Sequence, residues 1–347
     1  MPSEIENSTS SPPSSPWSRF EPRDVAPFIT LALLVAFFSF ASRDFFSPGT
    51  ITLVLQRGAV LGIVSVGLTF VLLCGEIDLS VGTMALWTAC LCGVMFEKPF
   101  AAGKGGAVAV PSVAVVMLVT VTPLVVAVIL GFVSGFLTVA SRMPSFIITL
   151  SMWSIAEGLA KYLTQSQKFA VPSFLKHLGN DGLPITPKLS IPYSALLAGG
   201  VMLVGYLVLA HTRFGRYVYM TGGNREAARL AGVRTSWIVI ASLALCALTS
   251  GMGGLVNAGR LESVSLDQNT DLLLNAVACV VLGGTSLFGG EGGLGRTLIG
   301  VLTFSVLKVG LDQINWIDNF MRTLLLGIVL MTALVINGLL ARRKQVQ

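Results

Sequence analysis

Two carboxylates stand two residues apart where the chain is otherwise apolar, in Gly75-Glu-Ile-Asp-Leu-Ser-Val-Gly82. A charge at the centre of a membrane helix costs roughly 2.5–3.5 kcal/mol on insertion scales, so an intramembrane carboxylate is a functional candidate by default. Glu76 and Asp78 fit two roles. At mid-membrane, with the chain broken at Gly75 and Gly82, they would hydrogen-bond the hydroxyls of a solute or hold a discontinuous helix. At a membrane edge, Asp78 or Ser80 would cap the helix that opens with Leu79-Ser-Val-Gly. The turn falls between two apolar runs, which favours the cap. A third chemistry, proton carriage on Glu76, Asp78 or Glu157, belongs to secondary transport.

A second stretch, Gly290-Glu-Gly-Gly-Leu-Gly-Arg-Thr297, has the look of a phosphate-binding loop with Arg296 where lysine belongs. Such a loop follows a buried strand of a soluble parallel sheet. Here the residues before it, NAVACVVLGGTSLFGG, read as a membrane span, so the segment is expected to be a tight turn with Arg296 at the interface. Cys74, Cys90, Cys92, Cys246 and Cys279 all lie in apolar runs without a CxxC, and His177 and His211 are far apart. That excludes a disulfide framework, and it leaves no metal cluster and no nucleophile with a base at hand. The expectation is a chain that is not an enzyme, with no cofactor of its own.

A third stretch is unlike its surroundings. Thr221-Gly-Gly-Asn-Arg-Glu-Ala-Ala-Arg-Leu-Ala-Gly-Val-Arg-Thr235 reads as a short helix of a soluble protein. Asn224 suits the N-cap, Glu226 suits the positive end of the helix dipole, and Gly232 suits a left-handed stop. Ala227, Ala228, Leu230 and Ala231 offer a small apolar face, with Arg225 and Arg229 opposite. Two turns do not hold alone in water, so the helix must pack on something. Either it lies on the membrane surface and joins two spans, or it docks into a groove on a partner.

The elements around these stretches are set by composition. Of 347 residues, 53% are hydrophobic and 12% charged, about half the charge of a soluble domain, with 37 glycines suited to close helix packing. Apolar runs near 26–41, 56–74, 79–97, 112–140, 144–162, 192–211, 236–258, 271–288, 296–314 and 319–340 predict about ten membrane helices. The long fourth run would tilt or break at Pro123. The fold class expected is an all-α polytopic bundle with short loops. Residues 1–25, rich in Ser and Pro, read as a disordered tail; 26–341 form the membrane domain and 342–347 a short C-terminal tail. Glu4, Glu6, Glu21 and Asp24 argue against a signal peptide ahead of the first run. With the N-terminus inside, Arg142, Arg213, Arg216, Arg225, Arg229, Arg234, Arg296 and Arg342 face the cytoplasm, whereas Arg43, Arg57, Arg260 and Arg322 do not. Lys161, Lys168, Lys176 and Lys188 dissent from an outer loop. The net charge of +6 is spread over short loops and forms no basic domain for nucleic acid.

Arg213-Phe-Gly-Arg-Tyr217 followed by Gly222-Gly-Asn-Arg-Glu-Ala-Ala-Arg-Leu-Ala-Gly-Val233 resembles the cytoplasmic coupling segment of bacterial ABC sugar importer permeases of the ribose/xylose/galactose class. Gly75–Gly82, Arg142-Met-Pro-Ser-Phe-Ile-Ile-Thr149 and Ala276-Val-Ala-Cys-Val-Val-Leu-Gly-Gly-Thr-Ser-Leu-Phe-Gly-Gly290 agree with it. The likeness covers the chain from about residue 45. It implies a dimeric inner-membrane permease with both termini cytoplasmic, paired with ABC ATPase subunits that bind the ATP. A periplasmic or extracellular sugar-binding protein would deliver substrate. Gly222, Gly223, Asn224, Arg225, Glu226, Ala227, Ala228, Leu230, Ala231 and Gly232, within the segment 213–235, would be the ATPase-coupling residues. Candidates for the sugar path are Glu76, Asp78, Trp87, Trp153, Asn257 and Asn275, with Glu157, Arg260 and Lys308 also eligible. Trp316 suits the interfacial belt better. Gly58/Gly62 and Gly131/Gly135 have the spacing of close helix packing, within the bundle or at a dimer interface. Proton-coupled transport, or an ABC permease for branched-chain amino acids or nucleosides, are the alternatives.

Overall fold

The computed structural model describes residues 22–42, 45–101, 112–187, 189–314 and 317–342. Most of the expected N-terminal tail, and Arg43, Lys188, Trp316 and the C-terminal residues 343–347, lie outside the described residues. The chain is a helical bundle of membrane type. In order, it forms α1 (Pro22–Ala41), α2 (Pro48–Leu73), α3 (Val81–Ala101), α4 (Val113–Ser141), α5 (Ser145–Thr164), β1 (Phe169–Ala170), α6 (Ser173–Asn180), β2 (Gly182–Thr186) and β3 (Leu189–Pro192). Then follow α7 (Tyr193–His211), α8 (Arg213–Gly223), α9 (Arg225–Leu230), α10 (Thr235–Arg260), β4 (Ser263–Val264), α11 (Leu272–Leu282), α12 (Leu294–Asp312) and α13 (Asn319–Arg342).

Five of these, α2, α4, α7, α10 and α12, are long and apolar enough to cross a membrane. Shorter apolar helical stretches lie at Val25–Ala41, Val81–Glu97, Leu272–Leu282 and Phe320–Thr332. A helix sits at each apolar run of the sequence, but the run 271–288 is helical only to Leu282, and the rest is loop. Helix starts follow local chemistry. Ser47 caps α2 by accepting from the Thr50 amide, with Pro48 in the first turn, and Ser112 caps α4 by accepting from Val115. α4 runs unbroken through Pro123.

α2 and α10 form the centre. Every residue of α2 from Gly58 to Leu73 is buried, as expected of a helix apolar on all sides. Glycine brings its neighbours in. A methyl on Gly67 would come within 2.5 Å of the Cys246 Cα, and one on Gly131 within 2.8 Å of the Leu243 carbonyl oxygen. Gly58 faces Ser305 of α12, Gly62 faces Met202 of α7, and Gly135 faces Ile240 of α10. Both GxxxG pairs are therefore used within this chain. The other face of α4 stays open, with Val125, Ile129, Phe132 and Phe136 all exposed.

The two ends of the bundle differ. At one end lie α8, α9, the α2–α3 connection and the loop 283–293. At the opposite end the long α5–α7 connection, expected only as a loop, is structured. It carries α6 and a β2–β3 hairpin, and β1 pairs with β4 beside them. The helix α6 crosses the end of α10 at two glycines: a methyl on Gly259 would overlap the Leu175 carbonyl, and one on Gly179 the Arg260 backbone. An Arg57–Asp312 ion pair ties α2 to α12 at this end, and Arg322 of α13 approaches Asp312 at 3.9 Å.

The glycine contacts have a direct consequence. A side chain at Gly254 would be driven into the Ala85 backbone, whose Cα would lie 2.7 Å from the new Cβ, whereas Gly200 has open space around it. Overpacking of this kind costs about 1–3 kcal/mol or more. Gly254→Val is expected to lower the detergent melting temperature and the yield of folded chain, and Gly200→Ala to change neither. Equal melting of the two variants would refute the close α3–α10 approach.

Candidate functional site

The α8–α9 end is built from residues whose local chemistry is explicit. Thr212 caps α8, accepting from the Gly215 amide at 3.2 Å. Asn224 ends α8 in extended conformation, and its Oδ1 caps α9 by accepting from Ala227 at 2.9 Å. Gly232, at φ +82°, closes α9, and the Val233 amide returns to the Ala228 carbonyl at 3.0 Å. The expected capped helix is present, but a second helix, α8, precedes it, and its apolar face is divided. Ala228 is 2% exposed and packs with Val218, Val233 and Ile238, whereas Leu230 is 83% exposed. Residues two apart on a helix point to opposite sides. One apolar residue holds the helix to its own protein and the other is left facing out.

Three glycine-bearing loops meet beside α9. The chain leaves α2 at Gly75 (φ +74°), leaves α8 at Gly222 and Gly223, and passes Gly289 (φ +90°) and Gly290 (φ +74°) before α12. The Gly290 amide donates to the Leu73 carbonyl at 2.9 Å. A methyl on Gly222 would overlap that same carbonyl oxygen; one on Gly289 would lie 2.8 Å from the Gly75 Cα, and one on Gly290 2.8 Å from the Gly223 Cα. Tyr219 adds a clasp, donating its hydroxyl to the Gly292 carbonyl at 2.9 Å. Burial pushes that phenol upward, so it stays a donor. The loop that resembles a phosphate cradle turns amides inward, Gly290 to Leu73 and Gly293 to Thr285 Oγ1 at 3.4 Å.

The fourth motif closes on the same place. Between α2 and α3 the chain is extended, and α5 satisfies its amides: Ser145 Oγ accepts from Ile77 at 2.9 Å and Thr149 Oγ1 from Leu79 at 3.1 Å. Asp78, 2% exposed, accepts from the Ser80 amide at 2.8 Å and the Ser80 hydroxyl at 2.6 Å, and Ser80 in turn accepts from Met84. Asp78 thus fixes Ser80, the residue just before α3. Glu76 does something the sequence did not show: its carboxylate pairs with Arg225 at the start of α9. The pair is asymmetric, with the Glu76 side chain 9% and Arg225 45% exposed. Nothing in the spacing selects Arg225 over Arg229 or Arg234.

Next to this pair opens a cleft of ≈ 800 Å³, lined among others by Glu76, Arg142, Arg225, Arg229, Thr235 and Ser236. The other candidates for a substrate path do not gather there. Trp87 is buried against the α3–α5 packing, and Trp153 is exposed on the outside of α5. Asn257 donates to Asn269 at 2.8 Å and accepts from Arg260 at 2.9 Å near the opposite end. Asn275 is half-buried on α11, and Glu157 pairs with Lys161 at 2.6 Å on α5. Among the described residues, no three His, Cys, Asp or Glu side chains cluster to hold a metal.

Comparison with known proteins places this geometry. Residues 50–334 match the family described as branched-chain amino acid transport system / permease component, and the chain belongs to it. It is a transport permease of the bacterial inner membrane, multi-pass, and not an enzyme. It is 32% identical to the ribose import permease protein RbsC of Escherichia coli K12, over 89% of this chain and 92% of that protein. It is 31% identical to RbsC of Bacillus subtilis, over 90% of this chain and 92% of that one. The fructose import permease protein FrcC of Rhizobium meliloti is also 31% identical, over 90% and 84%. No solved structure matches the chain.

The Glu76–Arg225 pair makes a measurable claim. A half-exposed pair is worth about 1 kcal/mol after solvent screening. Glu76→Gln or Arg225→Gln is expected to speed amide hydrogen exchange across residues 226–231 by several-fold, up to about tenfold, or ~1.4 kcal/mol. The exchanged pair, Glu76→Arg with Arg225→Glu, should recover part of the protection. Unchanged exchange in both single variants would show that α9 is held without the pair.

Proposed function

We propose that this chain is the permease subunit of an ATP-driven importer of a monosaccharide or related small polyol, and that α9 receives the work of a separate ATPase. One observation carries the coupling reading: Leu230 is left almost fully exposed on a helix whose other face is anchored by Ala228, capped by Asn224 and tied by Arg225 to the α2–α3 break. Partner-docking helices present spaced apolar anchors of this kind. A push on α9 would reach α2, α3 and α12 through the glycine junction.

The sugar assignment leans on the relatives, whose names specify ribose and fructose import over most of this chain. The family description mentions branched-chain amino acids, which is the competing cargo. ABC ATPase subunits, a sugar-binding protein outside and a second permease copy are the partners this reading needs. About ten membrane crossings, with the coupling end and both termini cytoplasmic, complete it. The arginine distribution supports that orientation, since Arg142, Arg213, Arg216, Arg225, Arg229, Arg234 and Arg296 all belong to the α8–α9 end. A proton-coupled reading has little footing: Glu76 is ion-paired, Asp78 accepts both the amide and the hydroxyl of Ser80, and Glu157 pairs with Lys161.

Leu230→Asp is expected to cut uptake of radiolabelled ribose or fructose by about tenfold, the effect of removing a central apolar anchor. The variant chain should stay in the membrane, while an ATP-binding subunit that co-purifies with the wild type is lost. Normal uptake by this variant would end the coupling role. In wild-type cells uptake should stop on ATP depletion and continue with a protonophore while ATP is held constant; the reverse pattern would establish proton coupling.

A further inference from the structure

The cleft beside α9 has a charge and a position that the transport reading does not use. It is lined by three guanidinium groups, Arg142, Arg225 and Arg229, against one carboxylate, Glu76, which already pairs with Arg225. Arg229 has only a 4.0 Å approach to Glu226, with both side chains largely exposed. Thr235 and Ser236 at the start of α10 add hydroxyl groups to the wall. Leu230 is not in the lining. Guanidinium groups flanked by hydroxyls are the donor set that holds phosphate oxygens.

Depth and surroundings narrow the occupant. α4 has 29 residues, about 43 Å of helix, longer than a hydrocarbon core of about 30 Å and close to a bilayer with its headgroups. With α4 spanning the bilayer, its two ends, and so Arg142 at its C-cap, fall near the headgroups. Trp237, beside Ser236, is 57% exposed and lies 6.5 Å from the Phe132 ring, where interfacial tryptophan is expected. Directly beyond the cleft the surface is apolar: Phe132, Phe136 and Phe146 are exposed on α4 and α5. A soluble anion would have no use for that surface. A phosphate group carrying acyl chains would use both.

We infer that the cleft is a site for an anionic phospholipid, its phosphate held by Arg142, Arg229 and the free edge of Arg225, its chains lying along α4. Basic pockets between membrane helices at an interface bind such headgroups. The bound phosphate would compete with Glu76 for Arg225, placing the lipid beside the link between α9 and the α2–α3 break. The inference needs the membrane fold, not the sugar or the ATPase.

The test uses the full chain reconstituted in vesicles of equal parts phosphatidylcholine and phosphatidylglycerol, then extracted in mild detergent, with retained lipid counted by native mass spectrometry. Wild type is expected to retain phosphatidylglycerol over phosphatidylcholine by about tenfold, as a pocket of several arginines should. Arg142→Gln with Arg229→Gln should abolish that preference. Arg213→Gln with Arg216→Gln, at the same end but outside the cleft, should preserve it. An unchanged elution profile for each variant separates lost binding from lost fold. Equal retention of the two lipids by wild type, or a preference that survives in the Arg142/Arg229 variant, would overturn the proposal. So would binding of inorganic phosphate at the cleft without any lipid preference, which would assign the arginines to a free anion. Lipid retention is read without transport, so this result and the uptake result stand apart.

Discussion

The amide of Gly290 reaches the carbonyl of Leu73 at 2.9 Å because Gly222 has no side chain to stand between them. The last carbonyls of a helix have no partner within it and must be satisfied from outside. At the end of α2 that partner comes from the loop before α12, some two hundred residues later in the chain. The approach is possible only if Gly222, Gly289 and Gly290 lack a Cβ, and Gly75, Gly289 and Gly290 also take positive φ. Side chains then add direction to a contact the backbones already make: Ser145 and Thr149 hold the extended strand-like segment, Tyr219 clasps the α12 loop, and Glu76 holds α9.

Contacts made of backbone have little give. A junction of long side chains would absorb a displacement by changing rotamers, but three loops touching at main-chain atoms can only move together or separate. Six helix ends lead into it, those of α2, α3, α8, α9, α11 and α12. On the proposed reading this is why a helix of six residues can matter to a bundle many times its size. A force on Leu230 would then enter a short, capped, well-anchored lever and leave through backbone.

What the sequence disclosed and what it concealed follow from the range of each interaction. The cap of α9 was legible because Asn224, Glu226 and Gly232 act within one or two turns. The Asp78–Ser80 contact ahead of α3 was within reach of the sequence, because the two are near neighbours. The membrane helices were legible because a run of apolar residues has one economical conformation in lipid. The Glu76–Arg225 pair spans 149 positions and the Ile77–Ser145 bond 68, and no local pattern encodes either. The division of the α9 face is a subtler case. Ala227, Ala228, Leu230 and Ala231 look like one surface in sequence, and only the packing of Ala228 against Val218 and Ile238 shows that they serve two sides. The hairpin β2–β3 and α6 were missed for another reason: their residues are neither apolar runs nor repeats, and α6 folds by lying across the end of α10 while the hairpin packs beside the start of α2.

The substrate path is the part that stays scattered, and there is a physical reason for that. Glu76 and Asp78, the most conspicuous polar residues in the apolar chain, are both committed to holding backbone and helix ends in place. Trp87 is buried in packing with its indole N–H unpartnered among the described residues, while Asn257 is committed to a chain of hydrogen bonds from Arg260 to Asn269. A polar group satisfied within its own protein has little left to offer a passing sugar. The residues that stand out in a membrane sequence are those whose burial is expensive, and expensive burial is tolerated where it fixes structure. A path for a solute that must be released again needs weak and replaceable contacts instead. Ordinary serines, threonines and small side chains can make such contacts, and composition does not distinguish them from packing. On the proposed reading, the conspicuous residues of this chain would belong to the machinery that moves the path and not to the path itself.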